Sequence, residues 1–219
     1  MIAIAALDGL RDRYLTAQLA GDRREALRLL VEDGLGGGAG VLDLQAGVIQ
    51  AAQDELGRLW QLNRVTIAQE HMASAISQLA LAVLFERATP APRLGKRLLL
   101  ACVAGEHHDL PARLVADFLD LAGFDMRYLG ADVPHDDLVR TACAEQPDVV
   151  GLSVTMSFNV SALRTAVARL GAVLDRPILV GGHAIQWSPG VIAELGVASD
   201  GTTSAELVAT ARRLAGLAP

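Results

Sequence analysis

Several residue types that mark large protein classes are scarce in this sequence. Aromatic residues make up 4% of the 219 residues, and 2 cysteines occur. Both cysteines, Cys102 and Cys143, lie in apolar stretches, which favours reduced thiols in a cytoplasmic protein over a disulfide framework. Basic residues are outnumbered, with 19 Lys and Arg against 25 Asp and Glu. The net charge of −6 would repel a phosphate backbone, so direct binding to nucleic acid is not expected.

Long apolar runs are absent as well. The longest reach about seven residues, as in 98–104, whereas a helix that crosses a bilayer needs about 20. Residues 1–6 are apolar but include no basic residue, and Asp8 follows closely, which is unlike a signal peptide. We therefore expect no membrane segment. The remaining composition, 52% hydrophobic with 20% charged, is typical of a folded chain with one large or two small domains.

The first part of the chain has the pattern of helices only. Apolar residues recur at helical spacing, which predicts four amphipathic helices packed as a small bundle. The predicted helical stretches are 7–19, 26–30, 41–62 and 65–85. Asp22 can cap the second helix, and Thr66 stands near the start of the fourth.

Prolines at positions 90 and 92 oppose helix formation and place a domain boundary there, between a helical-bundle cap domain over 1–90 and a second domain over 91–219. Beyond the boundary, apolar strands alternate with helices. The predicted strands are Arg97–Ala104, Asp125–Leu129, Asp148–Ser153, Pro177–Val180 and a weak fifth, Gly196–Ser199. The predicted helices are Pro111–Ala122, His135–Glu145, Asn159–Leu174, Pro189–Leu195 and Ser204–Leu217. This alternation predicts an α/β fold in which the bundle precedes a flavodoxin-like, doubly wound, five-stranded parallel sheet.

Small, polar and glycine residues follow the ends of these strands. In open parallel sheets, ligands bind outside the carboxyl ends of the strands, so we expect these residues to line a binding site. Glycines there allow a bulky ligand to approach the backbone. The candidate residues at this edge are Glu106, His107, His108, Asp109, Ser153, Thr155, Gly181, Gly182 and Gly201.

The pair of histidines in this set has the spacing of a metal ligand with a supporting carboxylate. Glu106 stands two positions before His108, and a carboxylate that accepts the Nδ1 proton leaves Nε2 more basic for a metal. His107 fits this role less well because it directly follows Glu106. One histidine cannot hold a bare zinc ion. A cofactor that supplies the remaining ligands itself would need only one, while a surface role for both histidines is the simpler alternative.

The segments Glu106-x-His108-x-x-Pro111, Ser153-x-Thr155 and Gly181-Gly182 together resemble the Asp-x-His-x-x-Gly, Ser-x-Leu and Gly-Gly signature of cobalamin-binding domains. The resemblance covers about 95–219, and the helical part resembles the cap domain of the same families, which include methionine synthase and corrinoid carrier proteins.

The resemblance implies that His108 is the lower axial ligand of cobalt and that Glu106 orients it. It also implies that Ser153 hydrogen-bonds the buried benzimidazole, and that the glycines make room for the nucleotide tail. Two departures stand out: Glu106 is one methylene longer than the usual Asp, and Pro111 replaces a Gly, which is acceptable if Pro111 begins the following helix.

The helical domain carries a second pattern. Trp60 precedes Glu70 and His71 in the form W-x9-E-H. Spacing alone also fits a core tryptophan beside a solvated helix turn. The pattern resembles that of CarH-type photoreceptors, which bind adenosylcobalamin in the dark and release its adenosyl group in light. The resemblance implies that Trp60 packs over the adenosyl group and that Glu70 and His71 line its pocket. Where those photoreceptors have a histidine after the tryptophan, this sequence has Gln61, so water or His71 would take the upper position after light.

We therefore expect a cobalamin-binding light sensor or regulator and not an enzyme. The photoreceptors carry a winged-helix DNA-binding domain to which the resemblance does not extend, so regulation would act through a homo-oligomer or a separate transcription regulator. One alternative is a corrinoid methyl carrier that binds methylcobalamin and serves a methyltransferase. A binding module without a cofactor is the other.

Overall fold

The computed structural model of the protein describes residues 4–188, 190–201 and 203–218, with side chains from residue 7 onward. The chain forms two compact units, of which the first ends at Thr89 and the second begins at Pro90. Pro189, the predicted start of one helix, lies outside the described residues. Within them, no helix combines the length and the apolar character needed to cross a membrane.

From residue 4 onward, the first unit consists of four continuous helical stretches, as the sequence predicts. Two of them contain a π-helical turn, which accommodates one extra residue in a helix. The helices are α1, Ile4–Leu19; α2, Arg23–Arg28, continued by the π-helical turn Leu29–Leu35; α3, Val41–Leu44, continued by the π-helical turn Gln45–Gln50 into α4, Ala51–Gln61; and α5, Ile67–Phe85.

Side-chain caps and apolar packing explain these helices. Asp22 accepts a hydrogen bond from the N–H of Glu25 at 3.0 Å, and so caps α2. Thr66 and Gln69 form a reciprocal capping box at the start of α5. The core of this unit includes fully buried large side chains, namely Tyr14, Leu29, Leu30, Leu44, Ile49, Leu56, Leu81 and Leu84.

The second unit is a five-stranded, all-parallel sheet with the strand order β2-β1-β3-β4-β5. This confirms the doubly wound, flavodoxin-like fold that the alternating pattern predicts. The strands are β1, Arg97–Cys102; β2, Asp125–Tyr128; β3, Val149–Ser153; β4, Ile178–Gly181; and β5, Ala198–Ser199. The helices are α6, Leu110–Leu121; α7, His135–Glu145; α8, Val160–Gly171; α9, His183–Trp187; α10, Gly190–Leu195; and α11, Ser204–Leu214.

Several elements differ from their predicted bounds: α8 and α11 end three residues early, at Gly171 and Leu214, and β5 begins two residues late, at Ala198. The strand β1 ends at Cys102, two residues before its predicted end, because the chain turns into the loop that carries Glu106. The short helix α9 has no counterpart among the predicted elements; it contains His183 and Trp187, whose rings pack edge to face with centroids 5.9 Å apart.

The strand register aligns the ends of the central strands. Cys102 of β1 pairs with Ser153 of β3, and Ser153 pairs with Gly181 of β4. The loops that follow these strands therefore leave the sheet from one edge. This alignment brings together polar residues that lie far apart in the sequence.

Candidate functional site

A carboxylate–histidine pair occupies the loop after β1. Glu106 is fully buried, and its Oε1 lies 2.6 Å from Nδ1 of His108 and accepts a second hydrogen bond from the N–H of His108 at 3.0 Å. This is the contact that the Glu-x-His spacing predicts, made with the longer side chain. The His108 side chain is 51% exposed. Since a carboxylate accepts from Nδ1–H, the ring's lone pair is on Nε2, the atom that a metal would bind.

The other oxygen of Glu106 joins this loop to the loop after β3. Its Oε2 accepts hydrogen bonds from the N–H groups of Thr155 and Met156, both at 2.9 Å, and from the side-chain amide of Asn159 at 3.0 Å. Burial opposes ionisation of Glu106, but these bonds and those from His108 outweigh it and lower the pKa to about 2. The site therefore holds a buried negative charge that is fully hydrogen-bonded.

This bridge lies where the sheet topology favours ligand binding. The strands β1 and β3 are neighbours in the order β2-β1-β3-β4-β5, so the chain leaves β1 toward one side of the sheet and β3 toward the other. The gap between the two departing loops is the usual ligand site of doubly wound folds. Glu106 spans that gap.

Further contacts fix the loop that carries His108. Gly105 adopts a φ of 82°, and its N–H donates to the Asp132 carboxylate at 2.7 Å. The N–H of Asp132 donates to the Glu106 carbonyl at 2.9 Å. The hydroxyl of Tyr128 donates to the carbonyl of Asp109 at 3.0 Å, and burial raises the Tyr128 pKa, so this hydroxyl stays protonated. The loop is thus held from β2 as well as from β3.

The sequence does not predict the contacts of these supporting residues. Asn159, Asp132 and Tyr128 are ordinary polar residues with no motif, and each contacts a residue far away in the sequence. Their positions gave a partial signal, because Tyr128 stands at the end of a predicted strand, and Asp132 and Asn159 stand three and six residues beyond predicted strand ends. Pro111, by contrast, lies in the first turn of α6, as the sequence predicts, where its missing N–H costs nothing.

The polar groups at the end of β3 are compatible with a buried ligand. Ser153 is 5% exposed and contacts the thiol of Cys102, whose pKa burial raises to about 12. The hydroxyl of Thr155 is buried, and among the described residues it has no hydrogen-bond partner. An unpaired buried hydroxyl is costly unless a ligand or water satisfies it. His107 is exposed, and its carbonyl accepts a hydrogen bond from the N–H of Asp109.

The predicted site glycines pack closely against the protein itself. A Cβ at Gly181 would lie 1.9 Å from the carboxylate of Asp200, and one at Gly182 would lie 2.2 Å from the carbonyl of Val154. At Gly201, a Cβ would lie 2.8 Å from a side chain of α11. Close packing within the fold thus explains why each of these positions is a glycine, and a role of these glycines in binding a nucleotide tail stays a prediction.

In the helical unit, two of the three predicted residues are paired. Nδ1 of His71 lies 2.6 Å from Oε2 of Glu70, and the hydroxyl of Ser74 donates to Oε1 of Glu70 at 2.7 Å. The Glu70 side chain is 25% exposed and that of His71 is 75% exposed. Trp60 is 41% exposed near the end of α4, which excludes a buried core position; among the described residues, it is not hydrogen-bonded to this pair.

Comparison with known proteins identifies the family to which the chain belongs. The profile of the B12 binding domain matches residues 96–209, and a second profile with the same description matches residues 10–85. The HTH-type transcriptional repressor CarH of Myxococcus xanthus is 34% identical over 147 residues, which cover 65% of this chain and 48% of that protein. Dimethylamine corrinoid protein 2 of Methanosarcina acetivorans is 28% identical over 125 residues, 56% of this chain and 57% of that protein. The chain spans about half the length of the curated relatives it matches.

A solved structure shares the fold. The monomethylamine corrinoid protein of Methanosarcina barkeri superposes with a TM-score of 0.83 at 20% identity, covering 94% of this chain and 98% of that chain. The names of these relatives describe a repressor and corrinoid proteins. The chain belongs to the B12 binding domain family, and it is a cobalamin-binding protein.

Proposed function

We propose that the protein is a light sensor that binds adenosylcobalamin, with His108 as the lower axial ligand of cobalt. The His108–Glu106 pair supports this role, because cobalamin brings four ligands in its corrin ring and needs one further donor from below. The Thr155 hydroxyl, which no described residue hydrogen-bonds, supports a polar, buried ligand near the same loops. Ser153 and the site glycines would contact the nucleotide tail.

The geometry of Glu70 favours adenosylcobalamin over methylcobalamin. Ser74 and His71 hold its carboxylate from two sides, so its remaining lone pairs have fixed directions. A ribose offers two neighbouring hydroxyl donors to such a carboxylate, whereas a methyl group offers none. This fixed carboxylate is the observation that carries the proposal, and the exposed indole of Trp60 would cover the adenosyl group.

Adenosylcobalamin supplies a cobalt–carbon bond that light cleaves. Loss of the adenosyl group would leave Trp60 and Glu70 without their partner and would shift the helical unit toward a second conformation, as a ligand-biased two-state element does. The signal would pass to a second copy of the chain or to a separate transcription regulator. The similarity to CarH supports this reading.

A methyl-carrier function is the second candidate. It is favoured by the 28% identity to dimethylamine corrinoid protein 2. A carrier would use the same His108 but would bind methylcobalamin at least as tightly and pass the methyl group to a partner enzyme in the dark.

An illumination experiment separates these functions. The protein is mixed in the dark with adenosylcobalamin or with methylcobalamin, and absorption spectra and size-exclusion profiles are recorded before and after green light. A sensor is expected to prefer adenosylcobalamin and to change both spectrum and elution volume on illumination. A preference for methylcobalamin, or an elution volume that light does not change, would contradict the proposal.

A further inference from the structure

A row of polar side chains runs through the interior of the helical unit and ends at Glu70. Its inner end is the hydroxyl of Ser77, which is fully buried. Gln18 donates to this hydroxyl at 2.8 Å, the amide nitrogen of Gln53 lies 2.7 Å from it, and the Tyr14 hydroxyl lies 3.1 Å from it. Burial raises the pKa of Tyr14, so its hydroxyl remains a donor.

The outer end of the row is Ser74. Its hydroxyl lies 3.2 Å from the amide oxygen of Gln53 and 2.7 Å from Oε1 of Glu70. Gln53 on α4 therefore lies between two serines of α5, one in the core and one beside Glu70. The row is continuous from Tyr14 to the Glu70 carboxylate.

The number of hydrogens on each group determines which group donates in each hydrogen bond of the row. A serine hydroxyl has a single hydrogen, and Ser74 gives it to the closer acceptor, the carboxylate of Glu70, because a bond to a charged oxygen is the stronger one. The group of Gln53 that faces Ser74 must then be a donor. A half-turn of the Gln53 amide, which hardly changes its shape, places its NH2 toward Ser74 and its oxygen toward Ser77.

With that orientation, each link has one donor. Gln18 gives one hydrogen to the carbonyl of Ala73 at 2.9 Å and the other to Ser77, which fixes its own amide. Tyr14 donates to Ser77, and Ser77 donates to Gln53. Gln53 donates to Ser74, and Ser74 donates to Glu70. Apart from the bond from Gln18 to the Ala73 carbonyl, all these hydrogens point toward the carboxylate.

Stability does not require such a row. Replacing a buried polar set with apolar residues of similar shape is often neutral or stabilising, and Gln18 even leaves its buried Oε1 without a partner among the described residues. What a fully directed set provides is a single fixed geometry at its end. Here that end is Glu70.

We propose that Ser74 and Gln53 are positioning residues that set the Glu70 carboxylate for the ribose hydroxyls of adenosylcobalamin, and so determine the preference for that form. This inference rests on the proposed function. Ser74 fixes Oε1, His71 fixes Oε2, and Gln53 holds the hydrogen of Ser74 toward Glu70. Without them the carboxylate would rotate and bind the hydroxyls less well.

The test measures dissociation constants in the dark for adenosylcobalamin, methylcobalamin and 2′,3′-dideoxyadenosylcobalamin. The three forms share the corrin, the lower face and the tail, so their ratios report the upper face alone. Ser74→Ala is expected to lower the preference for adenosylcobalamin over methylcobalamin roughly tenfold. It should leave methylcobalamin and dideoxyadenosylcobalamin affinities unchanged, and Ser74→Thr, which keeps the hydroxyl, should restore the wild-type ratio.

Gln53→Glu provides a second variant of nearly identical shape. A carboxylate at position 53 can only accept, so it competes with Glu70 for the single hydrogen of Ser74 and repels Glu70 across it. We expect the same loss of preference as in Ser74→Ala. Gln50→Glu, an exposed position on the preceding π-helical turn, is the matched control and should bind like the wild type. If Ser74→Ala does not fold, Gln53→Glu against Gln50→Glu decides the question.

The outcomes separate the inference from the function it rests on. A wild-type protein that does not prefer adenosylcobalamin contradicts both. A wild-type preference that persists within twofold in Ser74→Ala and Gln53→Glu overturns the positioning role and leaves the sensor function standing. An equal loss for all three cobalamins also overturns it, because that result indicates a general structural role.

Discussion

Glu106 binds the ring of His108 with one oxygen and the loop after β3 with the other, so a single buried carboxylate ties the orientation of the imidazole to the neighbouring strand. The donors on its two oxygens come from different parts of the chain. A substitution that alters either oxygen of Glu106 therefore affects both the stability of the fold and the orientation of the His108 ring.

Replacing Glu106 with Gln should destabilise the protein by about 3 kcal/mol. One carboxylate oxygen becomes an NH2 group, which faces either the His108 donors or the amides of Thr155, Met156 and Asn159. Urea denaturation without cobalamin measures the change, and Glu86→Gln at an exposed position is the control. An unfolding free energy within 0.5 kcal/mol of the wild type, roughly the spread of surface substitutions, would contradict this account.

The same carboxylate predicts an acid dependence. Folding lowers the pKa of Glu106 from 4.5 to about 2, so its ionised form stabilises the native state above pH 4.5. This contribution is lost as the pH falls from 4.5 toward 2. The stability difference between wild type and Glu106→Gln should therefore shrink over that interval, as measured by urea denaturation at several pH values. A constant difference would argue against it.

His108→Ala and His107→Ala form a matched pair of neighbouring substitutions. If His108 binds cobalt, its loss should weaken cobalamin binding at least tenfold and remove the nitrogen hyperfine splitting from the electron paramagnetic resonance spectrum of the cobalt(II) form. His107→Ala should keep both properties, because the carboxylate of Glu106 contacts the ring of His108. The reverse result would move the ligand role to His107.

Gly182→Ala tests the close packing after β4. Gly182 has φ 105° and ψ 164°, a conformation almost restricted to glycine, and a Cβ would lie 2.2 Å from the carbonyl of Val154. We expect a loss of about 3 kcal/mol in urea denaturation. Gly171→Ala, an open helical position at the end of α8, should instead be neutral or stabilising by about 0.5 kcal/mol. Equal effects of the two substitutions would show that the strain is absent.

Asp200→Asn should stabilise the protein at neutral pH. Burial raises the pKa of Asp200 from 3.8 to about 6, although a hydrogen bond from its own backbone N–H acts in the opposite direction. The native state therefore binds the proton of the Asp200 carboxyl more tightly than the unfolded state does. Stability from this group is full below pH 3.8 and is lost as the pH rises through about 6. The variant should gain about 2 kcal/mol at pH 8 and nothing near pH 3. The control Asp175→Asn, at an exposed position, should show no such trend.

The sheet could be predicted because its signals are local. Apolar strands such as 149–153 and the intervening helices follow from short-range periodicity, and the Glu106–His108 pair spans two residues. The hydrogen bonds that join Asn159 and Asp132 to that loop connect residues more than 25 positions apart, so no spacing in the sequence predicts them. The same applies to the row from Tyr14 to Glu70, which is assembled by the packing of α1, α4 and α5.

The π-helical turn Gln45–Gln50 sets the rotational phase of the helix that follows it. Such a turn holds one residue more than an α-helical turn, and one residue corresponds to about 100° around a helix axis. Because the turn absorbs that residue, deleting one residue there would restore an α-helical turn and leave Gln53 beside Ser74 and Trp60 on the same face of α4. The chain length can therefore change by one residue at this turn without moving two residues of α4, whereas the same deletion in an α-helical turn would rotate both by about 100°.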